Sequence, residues 1–206
     1  MEVAAQDLSV AERITLSHCI QSFSQIIKST IITTHQQECM TIDLGMKEIL
    51  MHLDQCRIKN GTVYIIGNGG SAAIASHAVI DFINMDKMHA TAMLDSAVTT
   101  CISNDYGYEQ VYAKQLMQCI DKKDVLIAIS SSGQSKNIMN AVSVAKNRKA
   151  KVFTLSGFLA DNPLRKMGDY NLWLHSKDYG HVEIGHAFIL HYLTDRLRDM
   201  LNKDAL

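Results

Sequence analysis

The chain has 206 residues, 47% hydrophobic and 20% charged, with a formal net charge of -1. That length and apolar content suffice to bury a sizeable core in one domain, with room for an appended helical segment. The near-neutral balance, without a long basic block, argues against binding driven by nucleic-acid phosphates or a membrane surface, though not against local basic patches, and no apolar run reaches the length of a membrane span. Five cysteines, Cys19, Cys39, Cys56, Cys101 and Cys119, are odd in number and form no C-x-x-C pair. This is the usage of reduced thiols in a cytoplasm, and Met1-Glu2-Val3-Ala4 lacks the basic n-region of a secretory leader.

The first 60 residues read as helical. Ser9 and Glu12 have the spacing of a capping box, and Val10, Ile14, Ile20, Phe23 and Ile27 mark an apolar face. A second helix starts near Thr41, where Met46, Ile49, Leu50, Leu53 and Cys56 keep helical spacing until Asn60-Gly61 stops it. Two helices ahead of the first strand bury little by themselves. Residues 1–60 are therefore assigned to packing or oligomerisation, and residues 61–206 to the main domain.

Residues 63–66, V-Y-I-I, form a short β-branched and aromatic run between Gly61 and Gly67, the pattern of a buried strand. Gly67, Gly69 and Gly70 then open a helix whose free N–H groups form an anion site, and Asn68 and Ser71 add hydrogen-bonding side chains. By itself this loop reads equally well as a turn. Further strands are expected at 90–94, 125–129, 152–155 and 171–174, separated by helix-compatible sequence; Pro163, the single proline, falls in a loop or short helix after the fourth. The fold class is α/β: five parallel strands flanked by helices, with ligands at the carboxyl ends of the strands.

The third strand ends in Ser130-Ser131-Ser132-Gly133-Gln134-Ser135, and a helix with Ile138, Met139, Val142 and Ala145 follows. Four hydroxyls, a glycine and a helix N-terminus can wrap three phosphate oxygens without a basic side chain; a Ser-rich turn with a helix cap is the other reading. The lysine and spacing of a Walker loop are absent, and G-N-G-G-S is not G-x-G-x-x-G, so nucleotide binding is not supported. His77 and Asp81, four apart, share one face of a helix, either as metal or substrate ligands or as a hydrogen-bonded pair in a core or interface. Glu183 and His186 face together at i,i+3, while His191 is offset; a surface carboxylate and core histidines are the plainer alternative.

In this order G-N-G-G-S at 67–71, N-D-Y-G-Y at 104–108 and I-S-S-S-G-Q-S at 129–135 resemble the sugar isomerase (SIS) fold, and within it the phosphoheptose isomerase family. The resemblance covers nearly the whole chain. It implies conversion of sedoheptulose 7-phosphate to D-glycero-D-manno-heptose 7-phosphate through an enediol, by a glutamate and a histidine acting as acid and base. It places phosphate on Ser130, Ser131, Ser132 and Ser135, with Asn68 and Ser71 of the loop through Gly69 and Gly70 beside the sugar, and Asn104 and Asp105 nearby. Asp81 stands where the family carries its catalytic Glu, and His191 aligns with the catalytic His; His186 becomes supporting.

Some members hold zinc, and the matching set here is His77, Asp81, Glu183 and His191, with Glu183 in place of a Gln; these ligand types suit Zn²⁺ or another divalent metal. Phe82-Ile83-Asn84-Met85 replaces the family's run to an arginine, and Gly180 appears where an Asp is common. The resemblance further implies a homotetramer with active sites at subunit interfaces and a phosphosugar partner. A noncatalytic SIS scaffold, like the relatives that bind the bacterial replication initiator, and an isomerase of another phosphosugar are the alternatives.

Overall fold

The computed structural model describes residues 15–204. The expected capping box of Ser9 and Glu12, with Val10 and Ile14, lies outside them. Helix α1, Leu16–Lys28, starts at Thr15, whose side chain accepts from His18 N. It buries no residue completely, and Leu16 and Ile20 stand 75% and 59% exposed. Helix α2, Ile42–Ile58, is capped by the Thr41 side chain on Leu44 N and buries Met46, Ile49, Leu50, Leu53 and Cys56, as the spacing predicts.

Between these helices the all-helical expectation fails. Ile31–Thr34 forms β1 and Cys39–Met40 forms β2, an antiparallel hairpin that adds to the sheet through β1. Four consecutive β-branched residues, Ile31-Ile32-Thr33-Thr34, disfavour a helix and fit a pleated surface, so the signal was present in a run too short to separate from its helical neighbours.

The remaining elements alternate: β3 Thr62–Ile66, α3 Gly70–Asn84, β4 His89–Thr91, α4 Ser96–Tyr106, α5 Ala113–Cys119, β5 Val125–Ser130, α6 Lys136–Asn147, β6 Lys151–Ser156, β7 Tyr170–Trp173 and α7 Tyr179–Asp204. Pro163 opens a short 3-10 turn, Pro163–Lys166. The sheet order is β2-β1-β7-β6-β5-β3-β4. The five expected strands are its parallel part, and β1 pairs antiparallel on β7, so the sheet has seven strands rather than five. Strand β4 ends at Thr91, short of the expected 94.

Alternate strand residues feed two apolar layers. Val63, Ile65, Val125 and Ile127 pack with Ile49, Leu53, Phe82 and Leu193 on one face; Tyr64, Ile66, Leu126 and Ala128 pack with Leu116, Ile138 and Val142 on the other. A parallel strand covered on both sides has this uninterrupted apolar run. The chain passes from β3 outward to β4 and then returns to place β5 on the other side of β3. The order therefore reverses between β3 and β5, where a crevice opens at the carboxyl ends. No helix among the described residues is long and apolar enough to cross a membrane.

Candidate active site

The loops after β3 and β5 meet at that switch point. Gly133 takes φ +64, and a Cβ there would collide with Asn162, so only glycine fits. The turn is closed by Gly133 N donating to the Ser130 carbonyl at 2.9 Å and to Ser130 Oγ at 3.2 Å. Ser130 Oγ lies 3.1 Å from Ser135 Oγ, and Gln134 N donates to Ser132 Oγ at 3.3 Å. The buried Ser131 hydroxyl has no hydrogen-bond partner among the described residues. A cavity of roughly 150 Å³ is lined by Asn68, Ser71, Ser130, Ser131, Ser132, Ser135, Tyr179 and Glu183, with Ile129 behind. A hydroxyl left without a partner beside two helix N-termini is a donor held ready for an anion.

The Asn68 side chain, which lines this cavity, is already engaged in three hydrogen bonds. Its Nδ2 donates to Asn137 Oδ1 at 3.0 Å, Asn137 Nδ2 donates to its Oδ1 at 2.8 Å, and Tyr108 Oη donates to the same Oδ1 at 3.0 Å. Tyr112 Oη donates to the Gly67 carbonyl, and burial pushes that phenol up to about 12. The glycine loop is therefore held from the α6 side by Asn137 and from the 104–112 segment by two tyrosines. Sequence reasoning missed Asn137, Tyr112 and Tyr179. A lone Asn in the first turn of a helix carries no periodic signal. Asn104 and Asp105 stand exposed on α4, with Asn104 Nδ2 donating to Asp105 Oδ1 at 3.0 Å, and line neither this cavity nor the next.

The acid and imidazole groups sit farther along α3. Ser71, Ala75, Ala78 and Phe82 bury one stripe of that helix, which leaves His77 and Asp81 on a flank beside α7. The two helices run in the same direction there, with Gly70 against the Glu183 carboxylate and Asp81 against His191. Asp81 Oδ2 is 3.2 Å from His191 Nδ1 and 3.7 Å from His77 Nε2. The two imidazoles stand edge to face, 5.0 Å apart. Asp81 is mostly covered, whereas the His77 and His191 side chains are 65% and 52% exposed, so the group faces outward. A cavity of roughly 240 Å³ beside it is lined by Ala73, Ile74, Ala187 and Leu190 as well as these three.

One donor atom from each of His77, Asp81 and His191 lies within 4.8 Å of the others. Four ligands about 2.1 Å from a tetrahedral zinc are about 3.4 Å from one another, so the trio fits a divalent cation with a position to spare. Glu183 is not with them. It precedes His191 by two turns, about 12 Å of helix axis, and its carboxylate lies on Gly70, where a Cβ would come within 2.5 Å of it. His186 is fully buried, its Nε2 3.3 Å from the Ser156 carbonyl and its Nδ1 unpartnered. Burial pushes it down to about 4, so it stays neutral and structural near neutrality.

A crevice at the switch point, a serine loop ahead of a helix and a hydroxyl-lined cavity define an α/β protein with a pocket suited to an anion, and the profile of the family described as SIS domain matches residues 23–157. The chain shares 32% identity over 162 residues with the phosphoheptose isomerase of Thermodesulfovibrio yellowstonii, covering 76% of this chain and 80% of that one. It shares 37% over 147 residues with phosphoheptose isomerase 1 of Campylobacter jejuni, covering 68% and 78%. The solved structure of a phosphoheptose isomerase from Francisella tularensis superposes with a TM-score of 0.78 at 26% identity, over 94% of this chain and 100% of that one. The chain belongs to the phosphoheptose isomerase family of SIS-domain proteins.

Proposed function

We propose that the protein is a sugar-phosphate aldose-ketose isomerase that converts sedoheptulose 7-phosphate to D-glycero-D-manno-heptose 7-phosphate. The observation that carries this reading is the 3.2 Å contact between Asp81 and His191, a carboxylate and an imidazole kept together on an accessible face. A scaffold without turnover has no need of that pair. Ser130, Ser131, Ser132 and Ser135 hold the phosphate, and the loop of Asn68, Gly69, Gly70 and Ser71 borders the sugar. Asp81 takes the proton from C1 and returns it to C2, while His191 moves the proton between the two oxygens. A divalent metal such as zinc, held by His77, Asp81 and His191, supplies polarisation of the carbonyl when bound.

The serine cavity and the Asp81–His191 pair lie at successive positions along the α3–α7 seam, and Ile80, Ile83, Ile184 and Phe188 are exposed on the same two helices. Apolar side chains around an outward-facing catalytic pair support a homotetramer in which active sites form between subunits, with residues 1–60 contributing to association. Free cysteines without a pairing pattern support a cytoplasmic location. The test is isomerisation of sedoheptulose 7-phosphate by the full chain, with and without Zn²⁺, beside His191→Ala. Turnover lost in the variant supports the assignment. A folded protein that binds the phosphosugar but turns it over in neither condition overturns it in favour of another sugar or the scaffold reading.

A further inference from the structure

The amino ends of the parallel strands, opposite the serine cavity, carry a second concentration of charge. Three turns lead into β3, β5 and β6 there, and they bring together Lys59, Lys122, Lys123, Lys149 and Lys151 around a cleft of roughly 90 Å³ that His52, Gln55 and Asp124 also line. Asp124 is the only acid lining the cleft among the described residues, and both its oxygens are engaged by backbone: Oδ1 accepts from Thr62 N at 2.8 Å and Oδ2 from Asp121 N at 2.7 Å, with the residue 3% exposed. Lys151 reaches Asp169 only at 4.0 Å, and that carboxylate already accepts from Lys146 at 2.7 Å. Lys59, Lys122, Lys123 and Lys149 join no ion pair among the described residues.

Lysines at helix C-termini often serve only to offset the helix dipole, and α2, α5 and α6 all end near these turns. The magnitudes do not match that role alone. Three helix ends supply about -1.5 charges together, and with Asp124 they leave a surplus of roughly two to three positive charges. Burial chiefly holds His52 below its ordinary value; the charge on Lys151 adds to this, while Glu48, Asp169 and a hydrogen bond with Gln55 oppose it. In a chain of net charge -1 these largely exposed lysines make a local positive potential that attracts anions. The cleft has the volume of about three waters, enough for one phosphate group but not for a sugar ring.

We propose that this cleft is a second anion site, separate from the serine cavity, which seats one phosphate group of a compact oligophosphate while the remaining groups lie against the exposed lysines of its rim. The serine cavity recognises phosphate by hydroxyls and helix N-termini; the lysine cleft does so by unpaired ammonium groups, and its affinity is strongly salt-dependent. A free oligophosphate and the phosphate tail of a nucleotide share this chemistry.

The test is calorimetric titration of the full chain with tripolyphosphate and, separately, adenosine triphosphate, at about 50 and about 200 mM salt. Two double variants accompany it, Lys122→Ala/Lys123→Ala and Lys59→Ala/Lys149→Ala, with folding checked by circular dichroism. Binding is expected to weaken about tenfold or more in each variant and with added salt, and to persist when the serine cavity is saturated with phosphosugar. Affinity for tripolyphosphate equal to or above that for adenosine triphosphate assigns a free oligophosphate, and tighter binding of adenosine triphosphate assigns a nucleotide. No binding by the unaltered chain near 1 mM probe, roughly the weak limit for a specific site, overturns the proposal. So does unchanged affinity in both variants, or displacement by the phosphosugar.

Discussion

Asn68 and Asn137 hold each other by two side-chain amide hydrogen bonds, 3.0 and 2.8 Å long, between the loop after β3 and the helix after β5. Asn137 is 2% exposed and also accepts from Ile138 N, so the pair fixes the loops after β3 and β5 against one buried anchor. Asn137→Ala removes both bonds and leaves the Asn68 amide without its buried partner. A stability loss of about 1–3 kcal/mol is expected in chemical denaturation. Phosphosugar affinity, measured by calorimetry, is expected to fall about tenfold, because the loops must then be ordered on binding.

Among the described residues, Glu183 is the one charged side chain that lines the serine cavity. A carboxylate about 5 Å from a phosphate at an effective dielectric near 20 repels it by about 3 kcal/mol per unit charge. Glu183→Gln is therefore expected to tighten inorganic phosphate binding by about tenfold or more at pH 8, with the gain reduced by salt. Unchanged affinity across a salt series would show that phosphate does not sit beside this carboxylate.

The Asp81 carboxylate touches His191 and His77, both largely exposed, so its removal has little to disturb in the core. Asp81→Asn is expected to lower kcat by about 100-fold or more with little change in KM, the signature of a group used in the transition state rather than in binding. Thermal stability should stay near that of the unaltered chain, which separates a chemical role from a folding defect.

Zinc addition is expected to raise Tm, because a ligand that binds only the folded state at about 100 times its Kd adds about 2.7 kcal/mol. His77→Ala removes one donor of the trio and should abolish the shift. A shift that survives in His77→Ala would place the metal elsewhere.

Asp86 is fully buried, and neither of its carboxyl oxygens has a hydrogen-bond partner among the described residues. Burial pushes its carboxyl up to about 7, opposed by Arg198 and reinforced by Asp81 and Asp195. A carboxyl raised on folding stays protonated in the native state between its unfolded value, about 4, and 7, so its contribution to stability falls as pH rises through that window. Asp86→Asn is expected to stabilise the protein at pH 8, on the order of 2–4 kcal/mol, and to change little near pH 4. His186 works in the opposite direction. Its lowered value means that stability is lost as pH falls from about 6.5 toward 4, so acid unfolding should begin earlier than in a His186→Gln variant.

The amino-acid sequence by itself determined the parallel part of the sheet, the two loops that border the serine cavity and the family. Strand periodicity, glycine turns and serine runs are written within a few consecutive residues, and their order along the chain is a pattern in its own right. The β1–β2 hairpin was legible only as a β-branched run, because its strand partner, β7, lies about 140 residues away. Only the tertiary structure decided which polar residues meet. His191 reaches Asp81 because α7 lies along α3, whereas Glu183, on the same helix, ends on Gly70 instead. Asn137 reaches Asn68 across 69 residues, and five lysines from three separate turns converge because parallel strands start side by side. Side-chain meetings of this kind depend on packing angle and register between distant elements, which local spacing does not encode.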